Sequence, residues 1–303
     1  MLPIRMMPAV FVLIWSTGFI VARYGMPHSP PLGFLSLRYG LSLALFGAWI
    51  AWSRPSWPRN PVEVGHLAVV GVLIQAGYLG GVWAAIKAGI GAGTVSLLVG
   101  LQPVLTALWI SAHADSRNPQ RAGGARIGGL QWLGLVLGLA GLALVVWRKL
   151  GVGEITAVNL LLTAVALLSI TCGTLYQKRF VAPCDVRTAS AVQLLASLVV
   201  TLPFALLERE AIRWHPQMIG ALAWSSMVLT LGGGSLLYLL IQRGAATRVT
   251  SLMYLVPPCT ALLGWLLFDE PLTGSMLLGM GLTAVGVALV AREPPAAPAQ
   301  GAA

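Results

Sequence analysis

Gln75 and Tyr78 stand three residues apart in an uninterrupted apolar stretch, and Ser235 and Tyr238 repeat that spacing just after Gly-Gly-Gly. On a helix each pair shares one face. Trp15 and Phe19, four residues apart, share another. Gln102 adjoins Pro103, Tyr254 lies one turn before Pro257, and Ser16 and Thr171 are polar residues in otherwise apolar runs. These types together make aromatic walls with a few neutral hydrogen-bonding groups. Such walls suit a flat, partly apolar, zwitterionic small-molecule substrate. Each residue also has a plainer reading, an interhelical hydrogen bond of about 0.6–2 kcal/mol or simple packing.

The charged residues narrow the chemistry further. All nine acids (Glu63, Asp115, Glu154, Asp185, Glu208, Glu210, Asp269, Glu270 and Glu293) and all four histidines (His28, His66, His113 and His215) fall at the ends of apolar runs or between them. A buried carboxylate or imidazole is the usual mark of a proton or ion relay, and none stands inside a run. A serine protease in the bilayer needs Ser and His at depth, a metalloprotease His-Glu-x-x-His, and an aspartyl enzyme two buried aspartates; the chain offers none of these, so it does not read as an enzyme. Cys172, Cys184 and Cys259 have no metal-ligand spacing and imply no disulfide, so no metal and no cofactor is expected.

Arg38 is the one charge inside a run, about 9 Å from its start at 1.5 Å per residue. It could meet a substrate carboxylate, although an arginine at that depth more often snorkels to the interface or caps a helix. A carrier of phosphorylated sugars or nucleotide-type metabolites would need further bases in the cavity. Lys87, Arg243 and Arg248 could serve only if their helices end inside it.

The elements that must position these residues are apolar helices. The chain is 57% hydrophobic and 9% charged, with mean hydropathy +0.83. Soluble domains carry about 25% charged residues, so this surface must be solvated by lipid. Ten spans are predicted near 6–24, 32–52, 66–87, 93–112, 130–149, 157–178, 187–207, 218–241, 247–268 and 274–291, each near the about 17–25 residues a bilayer needs. Arg5 ahead of an apolar run resembles a signal peptide, but without a clean cleavage site the run reads as the first membrane helix. Trp49, Trp52, Trp57, Trp147 and Trp214 lie near span ends, as interfacial anchors do. The Pro/Ala-rich tail 293–303 reads as disordered.

The second half repeats the first. An offset of 154 residues places Pro103 on Pro257 and Thr106 on Thr260; 155 places Gly18 on Gly173 and Arg38 on Gln193; 145 places Gly134 on Gly279 and Gly141 on Gly286. The units are 1–150 and 151–292, of five helices each. Five is odd, so the two must lie upside down relative to each other. Charge agrees: the loop after the fourth span carries Arg117, Arg121 and Arg126, while its mate after the ninth reads Phe-Asp-Glu-Pro. With both termini cytoplasmic, twelve basic residues lie inside (Arg5, Arg54, Arg59, Arg117, Arg121, Arg126, Lys178, Arg179, Arg187, Arg243, Arg248, Arg292) and six outside (Arg23, Lys87, Arg148, Lys149, Arg209, Arg213). That bias explains the net charge of +10 without nucleic acid. Inverted repeats place a substrate near the midplane, and prolines at matched positions, Pro103 and Pro257, mark a hinge or gate. A structural or receptor-like membrane protein has no evident use for such matched prolines.

The pattern of Trp15-Ser16, Arg38 following Pro31, a proline in the fourth helix, and Pro-x-x-Thr-Ala-Leu-x-Gly-Trp-Leu-x-Phe-Asp-Glu-Pro-Leu-Thr (Pro257–Thr273) resembles the ten-helix EamA-type branch of the drug/metabolite transporter superfamily. The resemblance covers about residues 8–291. It implies an all-α polytopic membrane protein, a monomer in the lipid bilayer, that exports small metabolites from a bacterial inner membrane. The aromatic content is similar to that of amino-acid exporters of the branch. The first repeat has no acidic-Pro counterpart. The small four-helix relatives carry a first-helix glutamate for protons and cationic drugs; Trp15, Ser16 and Thr17 stand in that helix here, which argues against that activity.

Overall fold

The structure, a computed structural model, describes residues 7–112, 129–151, 153–234, 236 and 255–290. Among these residues the regular structure is helical throughout. Its ten helices are α1 (Met7–Gly25), α2 (Pro31–Ser53), α3 (Pro61–Lys87), α4 (Ala92–Val99 and Gln102–Ala112), α5 (Gly129–Gly151), α6 (Ala157–Phe180), α7 (Val186–Leu207), α8 (216–233), α9 (Val256–Phe268) and α10 (Gly274–Val290). The helices start where the sequence supplies a cap or a proline. Asn60 accepts from Val62 N ahead of Pro61, Thr156 and Asn159 form a capping box, and Asp185 and His215 accept from Arg187 N and Gln217 N.

Five helices (α2, α3, α5, α6 and α7) contain stretches that are by length and composition long and apolar enough to cross a membrane. Their outer faces display Leu133, Val136, Leu161, Leu168, Val199 and Leu206. Water would not tolerate so continuous an apolar surface, whereas lipid matches it. Trp52 and Trp147 are exposed near the ends of α2 and α5, and Trp57 and Trp214 are exposed in the loops before α3 and α8, positions that suit interfacial anchors. α1 is integral to the core: Phe11, Val12 and Ala22 are buried against its neighbours.

The packing carries the repeat. α1 contacts α8 and α9, and its mate α6 contacts α3 and α4; α3 meets α7 as α8 meets α2; and α2–α7, α4–α9 and α5–α10 pair each helix with its own mate. Among the described residues these contacts between halves are thus exchanged in pairs, or mapped onto themselves, when the halves are exchanged. α5 and α10 show the hand of that exchange. A Cβ at Gly141 would stand 2.5 Å from the Gly279 carbonyl oxygen, and one at Gly286 would strike Gly134 and Gly138. The sequence mates thus meet crosswise along an antiparallel pair, as a two-fold axis in the membrane plane requires. Small residues allow this approach where no hydrophobic force draws helices together.

The matched prolines do not kink helix interiors. α4 breaks at Gly100-Leu101, with Leu101 N bonded to Leu98 O at 3.2 Å and Val104 N to Leu101 O at 2.9 Å. Pro103 is thus the second residue of a new helical piece, where its missing N–H costs nothing. Pro257 likewise lies in the first turn of α9, after Leu255 as cap. The two places touch: a Cβ at Gly100 would lie 3.2 Å from Pro257 Cγ.

Candidate functional site: a central cavity between the repeats

α3 and α8 each leave the ordinary helical winding, over Val72–Leu79 and Trp224–Gly233, where the backbone takes π-helical turns. An extra residue per turn re-aims every side chain beyond it, and such stretches favour functional sites. α3 enters its stretch at Gly71, which lies against the Gln193 backbone of α7 too closely for any side chain. Tyr39 Oη donates to the Gln75 carbonyl inside that stretch at 2.6 Å.

Between the two wide-wound stretches lies a cavity of about 170 Å³, walled by both repeats. α1 contributes Trp15, Gly18 and Phe19, α2 Arg38, and α3 Ile74, Gln75, Tyr78, Leu79, Val82 and Trp83. The second repeat contributes Ile170, Ser190, Leu194, Leu229, Thr230 and Gly234. Trp15 and Ile170 are repeat mates, so the cavity straddles the pseudo-two-fold. Its chemistry is lopsided, because Arg38, Trp15, Trp83 and Tyr78 all come from the first half.

Arg38 neither snorkels nor caps. It is 6% exposed, with Cζ 5.5 Å from the centre of the Trp83 ring and Nη2 donating to Thr230 Oγ1 at 3.2 Å. Its Nε and Nη1, and Trp83 Nε1, are buried without a hydrogen-bond partner among the described residues. Unmet donors are costly in a low-dielectric interior unless a ligand meets them. No described acid lines the cavity.

Of the residues singled out by sequence, Trp15, Phe19, Arg38, Gln75 and Tyr78 converge here. Ser16 is one residue from Trp15 yet faces α9: it donates to Val12 O, and its carbonyl accepts from Thr260 Oγ1. Thr171 donates to Leu167 O within its own helix. Gln102 Nε2 donates to Thr174 Oγ1 at 3.1 Å, joining α4 to α6. Ser235, Tyr238 and Tyr254 lie outside the described residues. Thr230, Trp83 and Ser190 escaped sequence reasoning. Trp83 sits among small residues with no polar spacing, and Thr230 acquires its orientation from the π-helical winding.

At one end of the bundle, helix ends are tied together by groups that the sequence places between the apolar runs. Glu270 accepts from Ala92 N at 3.0 Å and Gly93 N at 3.4 Å, at the start of α4. Glu154 accepts from Gly91 N and Thr94 Oγ1 and pairs with Lys149 at 2.6 Å. Glu208 accepts from Leu32 N and Gly33 N at the start of α2. Anions at helix N-termini meet both the free N–H groups and the dipole. Lys87 joins this end rather than the cavity, bonding Glu210 and the Met26 carbonyl.

The comparisons agree with this architecture. A solved crystal structure, 18% identical, superposes with TM-score 0.65 over 94% of this chain and 96% of its own. A probable amino-acid metabolite efflux pump of Escherichia coli K12 is 26% identical over 286 residues, 91% of this chain and 90% of the relative. An uncharacterized transporter, YvbV of Bacillus subtilis, is 27% identical over 93% of this chain and 89% of its own length. An uncharacterized inner membrane transporter, YedA of Escherichia coli K12, is 26% identical over 93% and 89%. The EamA-like transporter family matches twice, over residues 6–147 and 157–292, once for each five-helix repeat, and the chain belongs to that family of membrane transporters.

Proposed function

We propose that this transporter exports small amino-acid-type metabolites, aromatic ones included, across the bacterial inner membrane, with both termini cytoplasmic. The solute occupies the central cavity, and the two repeats rock about it to open one side and then the other. The observation that carries this reading is the cavity itself, walled by both halves with aromatic rings, a few neutral polar groups and one unpaired arginine. Its volume, about 170 Å³, is below the about 300–1,000 Å³ of drug-sized sites and suits a small metabolite. The named efflux pumps among the relatives and the excess of basic residues assigned to the inner side support the direction and the membrane. Phosphorylated solutes would call for several bases, and Arg38 is the one cation in the described lining.

The test is flux of amino-acid-type solutes into proteoliposomes containing the full chain. Tyr78→Ala and Trp15→Ala should slow aromatic solutes at least about fivefold more than small aliphatic ones, compared at equal amounts of folded protein. Equal loss for all solutes would return these side chains to a packing role.

A further inference from the structure

The charge inside the cavity selects among such solutes, an inference that rests on the cavity being the transport site. Arg38 stays protonated under all physiological conditions. Thr230 occupies its Nη2, while Nε, Nη1 and the indole N–H of Trp83 have no partner among the described residues. These are donors to an anion, and the Trp83 ring against the guanidinium holds them in place. The remaining polar lining is neutral: Gln75, Tyr78, Ser190 and Thr230. A carboxylate brings the buried charge to zero. A zwitterion adds an ammonium that no described acid can meet, and an amine adds a second positive charge beside Arg38.

We infer that the cavity selects solutes with one net negative charge, carboxylic acids whose amine is acylated or absent, and that the membrane potential drives them outward. Each complete cycle then moves one negative charge out of a negative interior. At 100 mV that alone sustains an outward ratio of about 50-fold, with no proton-binding group required. The absence of any carboxylate or imidazole from the described cavity lining fits that energetics.

The test uses the full chain in proteoliposomes with a valinomycin-set potassium potential and three probes that share one ring: N-acetylphenylalanine, phenylalanine and phenethylamine. The expected affinity order is N-acetylphenylalanine, then phenylalanine at least about tenfold weaker, then phenethylamine. N-acetylphenylalanine should accumulate on the positive side toward the about 50-fold ratio at 100 mV. Arg38→Gln should bring the three affinities within about threefold of one another. Trp83→Phe keeps the ring and removes the donor, so it should weaken N-acetylphenylalanine about fivefold more than phenethylamine, and it decides the matter if Arg38→Gln does not fold. Phenylalanine bound as well as its N-acetyl form, or accumulation indifferent to potential, would overturn the charge selection and leave amino-acid transport standing. Failure of all three probes to move would overturn the cavity reading as well.

Discussion

Gly141 of α5 lies against Gly279 of α10, backbone to backbone, and the sequence mates of these two glycines, Gly286 and Gly134, lie against each other one end over. One pair of contacts thus states both the internal duplication and its inversion. It also fixes where the outer helices tolerate no side chain.

A Cβ at Gly141 has no room beside Gly279 O and Thr283 Oγ1, while Gly281, on the same α10, has nothing within 4 Å. Gly141→Val is expected to destabilise the chain by about 1–3 kcal/mol, the usual cost of overpacking. Gly281→Ala should be neutral or slightly stabilising. Thermal melting of the two variants in detergent separates them, and equal melting would refute the close pairing.

Trp15 lines the cavity and Ser16 faces Thr260. Ser16→Ala and Thr171→Ala should therefore leave solute affinity within about twofold of the starting protein, whereas Trp15→Ala should weaken it tenfold or more. Binding measured by fluorescence quenching in detergent checks both. A large loss of affinity in Ser16→Ala would mean that α1 is rotated from this placement.

Glu270 reaches from the end of α9 to the first N–H groups of α4. Glu270→Ala should cost about 0.5–2 kcal/mol, as for other lost helix caps, read as a lower melting temperature in detergent. Flux driven by a pH gradient alone should remain near zero in the starting protein and in Glu270→Gln. Uphill accumulation that a protonophore abolishes would contradict a carrier without proton coupling.

Asp185, at the start of α7, is held below its ordinary value of 3.8 chiefly by the hydrogen bond from the Arg187 side chain. A carboxyl depressed in the fold stabilises it above that ordinary value, and the contribution fades as pH falls through the folded value. Melting temperature should therefore drop less between pH 5 and about pH 3 in Asp185→Asn than in the starting protein. Parallel curves would rule out a contribution from this pair.

With the native cysteines removed, Thr273→Cys should react with a membrane-impermeant thiol reagent in intact cells, and Ser56→Cys should not. The reverse pattern would invert the proposed orientation.

The spans were legible in the sequence because backbone in lipid must bond to itself, so each crossing needs an unbroken apolar run. The duplication was legible too, since offsets of 145 to 155 residues align glycines and prolines that packing uses twice. The absence of acids from the predicted spans is likewise read from sequence alone, and the pH-gradient flux tests what it implies. Tertiary structure decided which polar residues meet a solute. Neighbours on a helix point about 100° apart, so whether Trp15 or Ser16 faces the cavity depends on how α1 packs against α8 and α9. The π-helical stretches shift the phase of α3 and α8 in a way that a 3.6-residue period does not anticipate, and they bring Thr230 to Arg38. Glu270 and Glu154 look like loop residues in one dimension; only the approach of α9 and of the α5–α6 linker to the start of α4 makes them ties between helices. Spacing along a chain encodes what each helix can bury, but not the rotation and depth at which its neighbours hold it.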